Sequence, residues 1–373
     1  MKRGPISRAS PIRGEGMAGA DDKRSFQTLD GLRAIGAFLV VARHVPFLFG
    51  GAQVPESFLA VDLFYLVSGF VVAHAYRERL ERGGFVKAFI LTRWIRLYPL
   101  YACGMALGLV CALWSVKVDP GGWWTPQKVE IAIAAGLFMF PMLPGMPSSG
   151  ASLDGPTWTL APELIANFVF AAVAKRMTPT VLALLCVVFG GGLIWVERAY
   201  GSLDIGFGPN DFGVALIRVG FSFSLGLLLR ALLGTGFRVR PLLAWIALAI
   251  LFVLLAYTPA PNLKPVFELA VVCLGFPLLV ILAARAEPDA VSGRVFSFLG
   301  LMSYGVYLLH QPMGNLIRIA LDDRLDIPDG LDAAPYALSF CALLVFVAWR
   351  LDKTVDGPVR AWLRHRLLKP SKS

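Results

Sequence analysis

Charge is what this 373-residue chain has least of: only 16% of it is Asp, Glu, Lys or Arg, against 57% hydrophobic residues. With a mean hydropathy of +0.66, that composition excludes an ordinary soluble domain. Strand-like alternation of apolar and polar residues is absent, which argues against a membrane barrel. Histidine is scarce at four residues and cysteine at five, with no C-x-x-C spacing and no Cys–His clustering. Neither a disulfide framework nor a metal site is therefore indicated. No motif recurs between the two halves, so an inverted-repeat transporter has no sequence support. The first 25 residues are basic and rich in Gly, Ser and Arg without an apolar core. They read as a disordered tail and not as a signal peptide.

Long apolar runs are what remains. Segments near 34–50, 58–76, 97–116, 157–174, 179–197, 212–229, 241–258, 265–284, 296–319 and 335–350 are each long enough, or nearly so, to cross a hydrocarbon core. The expected fold class is all-α: a polytopic helical membrane protein of about ten transmembrane helices. The excess of basic residues, which leaves a net charge of +10, gathers in every second connection. These are the N-terminal tail, Arg77 to Arg96, Lys175-Arg176, Arg230 to Arg240, Arg285 to Arg294, and the segment from Arg350 onward. The positive-inside rule assigns such loops to the cytoplasm, with both termini there and no role for nucleic acid. The loop bearing Asp322, Asp323, Asp326, Asp329 and Asp332 lies on the opposite side. Ile131 to Met146 is short and ends in a Pro-Gly cluster, so it reads as re-entrant or surface-lying. The expected organisation is a tail over 1–25, one transmembrane domain over 26–352, and a basic cytoplasmic tail over 353–373.

Two ionisable residues in the first apolar segment carry the functional signal. Arg33 and His44 are eleven residues apart, three helical turns plus about 20°, so they share one face roughly 16 Å apart along the axis. Charges inside a span are costly and mark working sites by default. Arg43 and Asp62 add two more such charges. An Arg43–Asp62 ion pair and an Asp62–His44 orienting contact remain equal alternatives. Arg93 and Arg96, three apart at the start of the third span, face the same way. They read either as lipid-phosphate anchors or as a clamp on a phosphate-bearing donor. Glu163 and His310 fall at depths similar to His44 and Asp62.

Five ordered blocks carry a family resemblance. They are Leu29-Asp30-Gly31-Leu32-Arg33 through His44, Val61-Asp62-Leu63-Phe64-Tyr65-Leu66-Val67-Ser68-Gly69-Phe70, and Arg93-Trp94-Ile95-Arg96-Leu97-Tyr98-Pro99. Trp158-Thr159-Leu160-Ala161-Pro162-Glu163 and Ser303-Tyr304 through Tyr307-Leu308-Leu309-His310 complete the set. Together they resemble acyltransferase family 3, the membrane O-acyltransferases of bacterial surface glycans. Two departures are visible. Thr159 stands where the family usually has Ser, and Leu164-Ile165-Ala166 replaces the polar residue and aromatic pair that often follow Glu163.

The resemblance implies an enzyme of the bacterial inner membrane that moves an acyl group, most simply acetyl, from acyl-CoA to a glycan hydroxyl. It implies His44 as base or transient acyl carrier, oriented by Asp62 or Glu163, and Arg33, Arg93 and Arg96 as the acyl-CoA site. His310, Trp158, Tyr304 and Tyr307 are the acceptor-side candidates. Acyl-CoA enters as a donor substrate and not as a resident cofactor, and the partners are lipids and the glycan acceptor. Two alternatives stay open: acylation of a small molecule or lipid, and glycan or lipid transport without acyl transfer.

Overall fold

The computed structural model describes residues 26–139, 152–208, 210–234, 236, 238–321 and 326–368. The tail over 1–25, Asp322, Asp323 and the end of the Ile131–Met146 segment lie outside them. Helices dominate: α1 (Gln27–His44), α2 (Ala60–Arg82), α3 (Val86–Val118), α4 (Pro126–Leu137), α5 (Leu160–Val173), α6 (Pro179–Tyr200) and α7 (Phe212–Leu232) form the first part. The second part holds α8 (Pro241–Ala256), α9 (Lys264–Ala270), α10 (Phe276–Arg285), α11 (Ala290–Leu321), α12 (Ala334–Leu351) and α13 (Gly357–Leu367). A π-helical turn at Val271–Gly275 joins α9 to α10, and another at Asp352–Asp356 joins α12 to α13. The two-residue strands β1 (Arg238–Val239) and β2 (Ala286–Glu287) pair in parallel.

Among the described residues, seven helical stretches are long and apolar enough to cross a membrane. The 16-residue α8 is a shorter apolar helix, and α1 and α11 fall outside the seven. The outer surface is apolar, with Val187 and Leu242 each 72% exposed. A water-soluble protein would not tolerate such a surface over whole helices, whereas lipid matches it. α4, at 12 residues, extends only about 18 Å and does not span a hydrocarbon core.

α1 is the hub, packing against α2, α8, α10 and α11. Small residues make this possible: a Cβ at Gly36 would lie 3.0 Å from the Phe64 ring, and one at Gly31 would lie 3.1 Å from Phe296. α2 and α7 run side by side even more closely. A Cβ at Gly69 would come within 2.2 Å of the Phe223 carbonyl oxygen, and one at Gly226 within 2.1 Å of that of Leu66.

Contacts between chain turns define two ends of the bundle. At the basic end, Arg77 donates to the Met177 carbonyl (3.1 Å), Arg230 donates to His74 Nδ1 (3.1 Å), and the Gln27 amide reaches Glu287 (3.1 Å). At the far end, Gly330 N–H donates to the Gly50 carbonyl (3.0 Å) and Arg43 pairs with Asp204. Residues 353–367, expected as a tail, continue the helical body, and α13 packs onto α3.

Candidate active site

His44 ends α1 at the far end of the bundle, and His310 sits nearly two-thirds of the way along α11, which runs parallel to α1. Their packing brings His44 Nδ1 to 3.0 Å from His310 Nε2, with the rings stacked at 5.1 Å. His310 is wholly buried, whereas His44 is exposed. The Nδ1 of His310 lies 3.3 Å from the Val306 carbonyl oxygen. A carbonyl only accepts, so His310 carries its proton on Nδ1 and turns the Nε2 lone pair toward His44. His44 then donates from Nδ1, which leaves its own Nε2 lone pair free on the exposed edge. That edge has the tautomer a general base needs, and a second histidine does the orienting.

The carboxylates expected to orient His44 are engaged elsewhere. Asp62 takes a two-pronged ion pair from Arg218 of α7, with Nη2–Oδ2 at 2.5 Å and Nε–Oδ1 at 3.3 Å. Both side chains are buried, and Arg218 also donates to the carbonyls of Ile205 (3.0 Å) and Phe58 (3.3 Å). Asp62 therefore meets neither Arg43 nor His44, because the tight α2–α7 contact turns it toward α7. Arg43 instead pairs with Asp204, donates to the Pro55 carbonyl (2.8 Å), and stacks on Phe58 (5.3 Å). Glu163 sits nearer the basic end. Its Oε1 accepts from Ser68 Oγ (2.6 Å) and Arg93 Nη2 (2.9 Å).

A cavity of about 420 Å³ occupies that end. Arg33, Arg93 and Arg96 line it together with Asp30, Ser68 and Glu163. Arg93 is buried and gives its Nη2 to Glu163, while its Nε has no hydrogen-bond partner among the described residues. Arg33 lies 3.7 Å from Asp30 and is partly exposed. Arg96 is exposed and makes no ion pair among the described residues. Phe64, Tyr65, Thr159 and Tyr307 also line the cavity. Phe64 and Tyr307 meet edge to face at 5.7 Å, and Tyr307 lies 6.0 Å from the His310 ring. Arginines and aromatic rings thus share one cavity; neither histidine lines it, and Tyr307 connects its wall to the His310 ring.

The acceptor-side aromatics are placed differently from their expectation. Tyr304 donates to the Leu97 carbonyl (2.9 Å) and Tyr307 to that of Pro156 (3.1 Å), and both line the cavity at the basic end. Trp158 lies under the Arg218 guanidinium (5.7 Å) and against Phe207. Thr159 uses its hydroxyl on Tyr307 (3.2 Å) and the Pro156 carbonyl, so the hydroxyl itself is retained. Sequence reasoning missed Arg218 and Asp204. Each is an isolated charge flanking or within an apolar run, at a depth that matches an unpaired opposite charge, and that rule could have found them.

This architecture defines a multi-pass membrane protein with an arginine-lined cavity that ends near a histidine pair. The acyltransferase-domain family profile matches residues 26–352, and the chain belongs to acyltransferase family 3. It is thus a membrane acyltransferase. It is 37% identical over 176 residues to Protein 2 in picA locus of Rhizobium radiobacter, covering 43% of this chain and 88% of that one. It is 25% identical to Acyltransferase MdmB of Streptomyces mycarofaciens over 91% of this chain and 92% of that protein. Peptidoglycan O-acetyltransferase OatA of Listeria monocytogenes is 24% identical over 79% of this chain and 50% of its own length. No solved structure matches the chain.

Proposed function

We propose that the protein transfers an acetyl group from acetyl-CoA to a hydroxyl of a surface polysaccharide or lipid-linked glycan. The reading includes ten spans across the bacterial inner membrane, with both termini and the cavity mouth in the cytoplasm. The observation that carries it is the succession from cavity to histidine pair. Arg33 and Arg96 offer guanidiniums for donor phosphates at the mouth. The axial offset from Arg33 to His44 is about 16 Å, which suits an extended pantetheine arm. The Nδ1–Nε2 contact of 3.0 Å holds His44 ready to take a proton from an acceptor hydroxyl. In the balanced step, the hydroxyl oxygen forms the new ester bond as the thioester C–S bond breaks. The hydroxyl proton passes to His44 Nε2 and the thiolate leaves with CoA. Arg93, Ser68 and Glu163 position the cavity wall. The acetyl group and the glycan acceptor are supported by the acetyltransferase named among the relatives.

The test is transfer of label from acetyl-CoA in inside-out vesicles, comparing wild type with His44→Ala. Label bound to a glycan in wild type alone supports the reading. Equal labelling in both removes His44 from the chemistry. No labelling in either, with intact protein and an acceptor-rich membrane, discards acetyl-CoA as donor.

A further inference from the structure

The mouth of the cavity is built in part by residues at and beyond the end of the family match at 352. Asp352, Asp356 and Arg360 line it beside Arg33 and Arg96. The element that carries them runs from Gly330 to Leu367, 38 residues. At 1.5 Å per residue that is about 57 Å, nearly twice a ~30 Å hydrocarbon core, so its last turns stand clear of the apolar layer. The helix is interrupted at the cavity by the π-helical turn Asp352–Asp356. Such turns inside α-helices frequently coincide with functional sites. Beyond it, α13 packs on α3, the helix bearing Arg93 and Arg96.

Arg360 is held in a specific way. Its Nη2 alone serves both acids, at 2.8 Å from Asp352 Oδ1 and 2.9 Å from Asp356 Oδ2. The Nε and Nη1 donors make no hydrogen bond among the described residues. The carboxylates therefore fix one corner of the guanidinium and leave the rest of its fork available at a cavity it lines. A planar guanidinium with two free donors is suited to a phosphate oxygen pair. The surrounding acids, Asp30, Asp352 and Asp356, balance much of the local positive charge. Anion binding here must then come from directed donors and not from a diffuse basic field.

We infer that the C-terminal helix is a working part of the donor pocket and that Arg360 binds a phosphate group of the acyl-CoA. The inference rests on the donor reading above. It is tested by titrating CoA into the purified full-length protein in nanodiscs and measuring affinity calorimetrically. Arg360→Ala weakens CoA binding about tenfold or more, as loss of a charge-assisted hydrogen bond predicts. Arg360→Lys gives an intermediate loss, because it keeps the charge and forfeits the fork. Arg366→Ala removes the same charge from an exposed position stacked on Trp362 (5.4 Å) and leaves affinity unchanged. Melting temperatures of all variants report folding, and the Lys variant keeps the test valid if the Ala variant is unstable. Wild-type affinity in Arg360→Ala alongside a loss in Arg96→Ala would exclude the C-terminal helix and leave the donor reading standing. Equal losses in Arg360→Ala and Arg366→Ala would reduce the effect to general charge and overturn the assignment. Absence of CoA binding by wild type would remove the donor reading and this inference together.

Discussion

His44 and His310 are separated by 266 residues and joined by one hydrogen bond of 3.0 Å. The outer partner is exposed, the inner one fully buried, and the buried ring is fixed in turn by the Val306 carbonyl. This order gives each ring a different task, and the two variants separate them. His44→Ala lowers kcat to background. His310→Ala leaves the base present but unoriented, and lowers kcat about 10²-fold, the low end of what positioned acid–base catalysis contributes. His310→Asn, whose amide oxygen can accept from His44 Nδ1–H, recovers part of that loss. Steady-state kinetics in vesicles measure all three, and equal kcat in wild type and His310→Ala would dissolve the orienting role.

Asp62 and Arg218 form a buried pair whose value is structural. Asp62→Ala or Arg218→Ala strands a charge in the core and costs about 3–5 kcal/mol. The double replacement Asp62→Leu with Arg218→Met restores much of the stability of the single variants, because no unpaired charge remains. Thermal unfolding in detergent is the readout. A double variant no more stable than the worse single one contradicts the pairing.

Arg93 and Arg96 divide along the line of burial. Arg96→Ala raises the donor KM with little change in melting temperature, since Arg96 is exposed and has no ion-pair partner among the described residues. Arg93→Ala lowers the melting temperature as well, by leaving Glu163 without its 2.9 Å partner. Parallel KM and melting measurements separate the two patterns.

The α2–α7 seam depends on absent side chains. Gly69→Ala or Gly226→Ala pushes a methyl into backbone at 2.2 Å or 2.1 Å. Each destabilises by about 1–3 kcal/mol or more through overpacking. Gly51→Ala, at a position with nothing within 4 Å of its Cβ but a positive φ of +70°, costs about 1–2 kcal/mol and through strain alone. Comparative melting curves rank the three.

Glu56, in the connection before α2, contributes a pH slope. Burial chiefly, and then the Glu268 carboxylate, raise its pKa from 4.5 to about 7, while Lys264 and Arg43 oppose the shift. The folded state therefore binds more proton than the unfolded chain between about pH 4.5 and 7. Stability contributed by this group is fully present below pH 4.5 and falls as pH rises toward 7. Glu56→Gln flattens that part of the melting-temperature profile. An unaltered slope would place its origin in other groups.

Much of this was legible in residue order. Apolar runs marked the helices α2, α3, α5, α6, α7 and α12, because transfer into lipid depends on local composition and length. The RxxR pair, Glu163 and the two tyrosines announced themselves as polar residues inside such runs, and the cavity gathers them. Their partners were not legible. Sequence depth ranks residues along the membrane normal and says nothing of lateral neighbours. Depth alone thus aligns Asp62 with Arg43 and His44 alike, whereas α7 holds it through Arg218, and it ranks Glu163 beside them, whereas Arg93 holds it toward the basic end. The 353–373 segment reads as a charged tail because its pattern is basic. Packing against α3 is what makes its first part a wall of the cavity.

The sequence by itself determined that this chain lives in a bilayer, that it is helical, and that acyltransferase chemistry belongs to it. Each of these follows from composition or from motifs contiguous in the chain. Only the tertiary structure decided that His310, and neither carboxylate, stands behind His44, that Asp62 belongs to Arg218, and that Arg360 reaches the arginine-lined cavity. Side-chain partnership is set by which helix faces touch, and that is fixed by close glycine contacts such as those of α2 with α7 acting over the whole bundle at once.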